Sequence, residues 1–145
     1  MFDKFCGKPK RDFILRGDVG LIKLKKPIPI GEAPYNFALT TMIGTHIQAA
    51  DWSKKIAVAG WGYTEPNQTD SISRFLKKTE LLHFDDKKCK QLMIPFTREE
   101  EFCAHGNHTG ACVGDSGGPA ILPDTTVPKN WLVGIINGGF RSGDE

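Results

Sequence analysis

The sequence has no histidine before His46 and no apolar run approaching a bilayer span. A transmembrane helix needs about 20 consecutive apolar residues, so no membrane partner is expected. Charge of one sign is also missing. Nineteen basic residues face 17 acidic ones, a net charge of +2, too small to point to nucleic acid. The lysine groups (Lys23, Lys25, Lys26; Lys77, Lys78; Lys87, Lys88, Lys90) are short and scattered, as solvated faces are. Met1-Phe2-Asp3-Lys4 opens without the apolar core of a secretory leader, so no signal peptide is expected in this chain. Cysteine is sparse at four, a number that suits an oxidising compartment and also fits a reduced one. What remains is ordinary: 145 residues, 39% hydrophobic and 25% charged, enough for one globular domain.

The informative stretch is Gly114-Asp115-Ser116-Gly117-Gly118-Pro119, with Cys112 just upstream. An exposed nucleophile needs a tight turn and a clear approach for a substrate carbonyl, and glycines on both sides supply both. In such a turn the amides of Gly114 and Ser116 can aim at one point, where an oxyanion would form during acyl transfer. Pro119 ends the turn and begins an extended segment, Ala120-Ile121-Leu122. A bare Gly-x-Ser-x-Gly would read as a surface turn. Six consecutive residues, however, resemble the active-site loop of the trypsin/chymotrypsin-like serine proteases.

The rest of the chain carries the same resemblance. Asp18-Val-Gly-Leu-Ile-Lys-Leu24 is a β-favouring run that Pro27 and Pro29 end. It is similar to the family segment whose aspartate orients the catalytic histidine. Asp18 and Ser116 are 98 positions apart, against roughly 93 in the family template. Pro27, Pro29 and Pro34 suit a linker between two barrels. Ile56-Ala-Val-Ala-Gly-Trp-Gly62 reads as a strand ending in a turn, with Trp61 expected in the core. It resembles the family's Val-x-Gly-Trp-Gly, although Ile56 stands where the family often has cysteine. Phe75 to Leu82 has strand length, and Asp85-Asp86 reads as a helix start, followed by Cys89, Leu92 and Met93 at helical spacing. Trp131 to Ile136 is a continuous apolar run of the kind buried on both faces of a barrel.

The resemblance implies an all-β fold, part of a trypsin-like double β-barrel. Residues 1–26 would end the first barrel, 27–50 link the barrels, and 51–145 form a second barrel without its last strand and C-terminal helix. It implies a Cys89–Cys103 disulfide. Cys6 and Cys112 either pair with each other or each lacks its partner, and the second reading is favoured. It implies a secreted serine endopeptidase acting through an acyl-enzyme on protein or peptide substrates. Protein inhibitors are candidate partners, and no cofactor or metal is required. Ser116 would be the nucleophile, Asp18 the orienting acid, and Gly114 with Ser116 the oxyanion donors. Gly110 would form the base of the specificity pocket, with Asn137, Gly138 and Gly139 along its wall, where the family usually reads Ser-Trp-Gly. Without a charge at Gly110, a chymotrypsin- or elastase-like preference is expected. Two sequons, Asn67-Gln-Thr69 and Asn107-His-Thr109, fit a secreted protein.

One element of the mechanism has no match. The general base should lie roughly 45 residues before the aspartate, and His46, His83, His105 and His108 all follow Asp18. Asp115 would normally pair with a freed N-terminal amine, for which no activation site is recognisable. It is expected to be unpartnered, to swing out or protonate, and to leave the oxyanion hole malformed. The alternative function is a non-catalytic protease homologue acting as a binding or regulatory module.

Overall fold

The computed structural model describes residues 18–29, 53, 55–65, 70–92, 100–123 and 130–138. Five strands and one helix occur in the order β1 (Ile56–Gly60), β2 (Lys77–Phe84), α1 (Asp86–Leu92), β3 (Cys103–His105), β4 (Pro119–Pro123) and β5 (Asn130–Ile135). They form one antiparallel sheet, β3-β2-β1-β4-β5, in which the first strand lies at the centre. The fold is all-β with a single short helix among the described residues, as the sequence implied.

Period-two patterning decides which face is covered. Ile56 and Val58 alternate inward on β1, and Leu81 sits opposite Ile56 on β2. Ala120 lies opposite Val58, and Leu122 and Val133 extend the same buried cluster across β4 and β5. Phe102, Ala104, Trp131 and Ile136 pack around its margin. Ile56 is fully buried, so trimming it to alanine costs about 2–5 kcal/mol.

The helix begins where the sequence placed it. Asp85 caps α1 by accepting from the Lys88 amide at 2.9 Å through its Oδ1, and its carbonyl accepts from the Cys89 amide at 3.0 Å. This satisfies donors that the first helical turn leaves open. Cys89 faces inward and forms the expected disulfide with Cys103, with 5.8 Å between the Cα atoms.

Several expectations need correction. β2 starts at Lys77 rather than Phe75. The Ser73 hydroxyl donates to the Phe75 carbonyl and accepts from its amide, which holds 73–75 in a turn. Residues 18–24 form no strand and are exposed throughout, Leu21 and Ile22 each to 90%. A β-favouring run becomes a strand only beside a partner that takes up its N–H and C=O groups, and no described residue pairs with this one. β5 is not buried on both faces: Val133 is covered, but Ile135 remains 42% exposed. β5 is an outer strand of the described sheet and has one neighbour, β4. The linker assigned to 27–50, apart from 27–29, and Cys6 lie outside the described residues.

Candidate active site

Residues 112–118 form a loop between the sheet and the start of β4, and backbone hydrogen bonds hold it at both ends. The Tyr63 amide donates to the Val113 carbonyl at 2.9 Å, and the Asp115 amide closes a turn onto the Cys112 carbonyl at 2.9 Å. The Gly118 amide reaches the Asp115 carbonyl at 2.9 Å. The loop is then tied to the end of β5: the Gly117 amide donates to the Ile136 carbonyl at 2.7 Å, and the Ile136 amide returns a bond to the Gly118 carbonyl at 2.8 Å. Gly114 and Gly117 take φ values of 96° and 82°, a left-handed region that disfavours a Cβ.

Asp115 is the buttress of this loop. Its Oδ1 accepts from the Gly62 amide at 2.7 Å and its Oδ2 from the Cys112 amide at 2.8 Å. The expectation that this carboxylate would be unpartnered and swing out is therefore wrong. Two backbone donors serve it, and hydrogen bonds to an ionised group stabilise by about 1.5–3 kcal/mol each.

The donors reach it because Gly60 and Gly62 have no side chains. A Cβ on Gly60 would overlap the Asp115 carboxylate, and one on Gly62 would lie 2.7 Å from it. Along an extended segment alternate residues face opposite ways. Gly60 and Gly62 turn to Asp115, while Trp61 between them turns outward and is 55% exposed, not in the core as expected. The Gly-Trp-Gly turn thus seats the aspartate beside the serine, a role that sequence reasoning missed. Its only sequence signal is the pair of glycines two positions apart.

Fixing Asp115 leaves its neighbours at the surface. Ser116 is exposed, and its hydroxyl bonds to no described residue. Among the described residues, the Gly114 and Ser116 amides also donate to no acceptor. A hydroxyl flanked by two open N–H donors is an arrangement that can accept an electrophilic carbonyl.

The other proposed site residues are more dispersed. Asp18 is exposed and makes no hydrogen bond or ion pair with a described residue, Ser116 included. Gly110 is half-buried, and neither it nor Gly138 has any atom within 4 Å of where a Cβ would stand. Asn137 is exposed, and Gly139 lies outside the described residues. The hydroxyl of Thr109 donates to that of Thr79 at 2.6 Å, anchoring the segment before Gly110 to β2. Cys112 is buried and shares no disulfide with a described cysteine.

No described histidine hydrogen-bonds to Ser116. His105 packs on the Phe84 ring with centroids 4.3 Å apart, and His83 lies 6.2 Å from Phe102. Burial lowers the His83 pKa below the usual 6.5, against the opposing pull of Asp86 and Asp85. His108 is exposed, and His46 lies outside the described residues. No group of histidine, cysteine or acidic residues among the described residues could hold a metal.

Comparison with known proteins bears on the family. The family model described as Trypsin matches residues 4–145. Trypsin iota of Drosophila melanogaster is 30% identical over 90% of this chain and 48% of its own length. Limulus clotting factor C of Carcinoscorpius rotundicauda is 31% identical over 89% of this chain and 13% of its own length. Glucanase inhibitor protein 2 of Phytophthora sojae is 32% identical over 88% of this chain and 42% of its own length. The chain therefore spans about half or less of the length of these relatives.

Proposed function

The chain belongs to the trypsin family of serine proteases, and from that premise we propose that it carries the nucleophile of a secreted serine endopeptidase. The observation that carries this reading is the seating of Asp115 on the Gly62 and Cys112 amides, which leaves the Ser116 hydroxyl and two N–H donors open beside it. Ser116 attacks the scissile carbonyl. The Gly114 and Ser116 amides stabilise the oxyanion, and the amine leaves as an acyl-enzyme forms. Asp18 orients the base. In the family's order that base is a histidine ahead of Asp18, whereas the four histidines here all follow Asp18 and none of the described ones hydrogen-bonds to Ser116.

The substrates are proteins or peptides. Gly110 offers no charge to a buried guanidinium, which would be strongly unfavourable without a partner. An apolar or aromatic side chain suits a pocket with no Cβ at Gly110 or Gly138, the preference of the chymotrypsin and elastase types. The Cys89–Cys103 disulfide, together with relatives named as clotting factors and a venom protease, supports an extracellular setting.

The test is turnover of a peptide library by the full-length protein with a Ser116→Ala control. Cleavage after large apolar residues that the substitution abolishes is the expected result. Dominant cleavage after Arg or Lys would overturn the specificity assignment.

One observation favours a second reading. No described histidine contacts Ser116, and a similar protein is named as a glucanase inhibitor. A full-length protein that binds a partner protein yet cleaves nothing would support a non-catalytic module.

A further inference from the structure

We propose that Asn107 carries an N-linked glycan. Asn107-His108-Thr109 is an acceptor triplet, and such triplets are common enough by chance that structure must decide. Here the structure supplies three supporting facts. Asn107 is exposed, two residues beyond β3, and its side chain bonds to no described residue. The chain reverses at this point: His108 has φ 56°, and the carbonyl of Thr109 lies 2.5 Å from where a Cβ on Gly106 would stand. The asparagine thus rides on a tight surface turn, where a bulky substituent displaces nothing. The Cys89–Cys103 disulfide, third, is in keeping with folding in an oxidising compartment, where such glycans are attached.

The chemistry also sets an order of events. The amide nitrogen of Asn107 bonds to the anomeric carbon of an oligosaccharide held on a lipid diphosphate. The carbon–oxygen bond to the diphosphate breaks, the lipid diphosphate departs, and the amide loses one proton. Acceptor recognition uses the threonine hydroxyl. In the folded chain that of Thr109 is half-buried and bonded to Thr79 at 2.6 Å. Transfer therefore precedes the docking of residues 106–110 on β2.

The glycan lies at the end of an outer strand, since β3 is the terminal member of the described sheet. Unpaired strand edges invite association with other chains, and a hydrated sugar at this end blunts that edge.

The inference rests on the extracellular reading proposed above, so the experiment imposes entry into the secretory pathway and leaves peptidase turnover to a separate assay. The full-length protein is expressed in eukaryotic cells behind a cleavable leader. Whole-cell material is digested, and the peptide spanning position 107 is analysed by mass spectrometry before and after an asparagine-specific glycoamidase in heavy-oxygen water. A hexose-rich adduct that the amidase converts to labelled aspartate at 107 is the expected result, with one mobility step lost in Asn107→Gln and in Thr109→Val and kept in Thr109→Ser. Material from secreted and retained protein is pooled, so a variant that fails to fold still reports. An unmodified Asn107 in cells that glycosylate a control sequon overturns the proposal, as does a glycan on Asn67 alone.

Discussion

The amide of Gly62 donates to Oδ1 of Asp115 at 2.7 Å across 53 positions of sequence. This bond joins the turn after β1 to the loop that presents Ser116, and the absence of side chains at Gly60 and Gly62 makes it possible. The central sheet strand therefore positions the aspartate, and through it the serine. Gly60→Ala and Gly62→Ala should each destabilise the full-length protein by about 1–3 kcal/mol, the usual cost of forcing extra atoms into a packed site. Asp115→Ala should cost at least as much, because it leaves the Gly62 and Cys112 amides without acceptors. Denaturant midpoints check both, and a Gly60→Ala or Gly62→Ala variant as stable as the parent would contradict the seating.

The disulfide gives an independent prediction. Cys89 and Cys103 close a loop of 14 positions, for which chain entropy gives about 3 kcal/mol. Cys89→Ser, or reduction, should lower the urea midpoint accordingly. An unchanged midpoint would show that the bond contributes nothing to the fold.

His83 makes stability depend on pH. Burial lowers its folded pKa below the unfolded value of 6.5, so the unfolded chain binds more protons near and below that value. Stability from this group is complete above pH 6.5 and declines as the pH falls toward the folded pKa. Unfolding titrations should show that decline, and His83→Gln should flatten it. An identical slope in the variant would assign the dependence to other groups.

These properties were unequally visible in the sequence. The nucleophile loop could be read directly, because Gly114 to Pro119 state their backbone requirements locally. So could α1, where Asp85 is both cap and boundary, and the strands at 56–60 and 119–123, whose apolar runs end at glycine or proline, and at 130–135, whose run Trp131–Ile136 lies between Asn130 and Asn137. The seat of Asp115 could not, because it depends on a contact between segments far apart in the chain. For the same reason the sequence suggests a core position for Trp61, whereas the two glycines flanking it occupy the inner side. Nor does the sequence show that residues 18–24 lack a strand partner or that Ile135 stays exposed, since a run of apolar residues does not say what lies against it.

That exposed apolar surface carries its own consequence. Leu21 and Ile22 stand open, and β5 has a single neighbour in the described sheet. Unpaired edges beside apolar residues are templates for association. The 145 residues expressed alone should form oligomers or aggregates, visible by light scattering after size-exclusion chromatography. A monodisperse monomer with a cooperative melt would contradict this.

The most direct measurement is active-site titration with a serine-directed phosphonate, followed by mapping of the modified residue. The full-length protein should be labelled stoichiometrically at Ser116, and Ser116→Ala should abolish the label. The 145 residues alone, which bring no histidine ahead of Asp18, should stay unlabelled. Labelling at another residue, stoichiometric labelling of the 145-residue chain, or a full-length protein that resists the reagent would contradict the account.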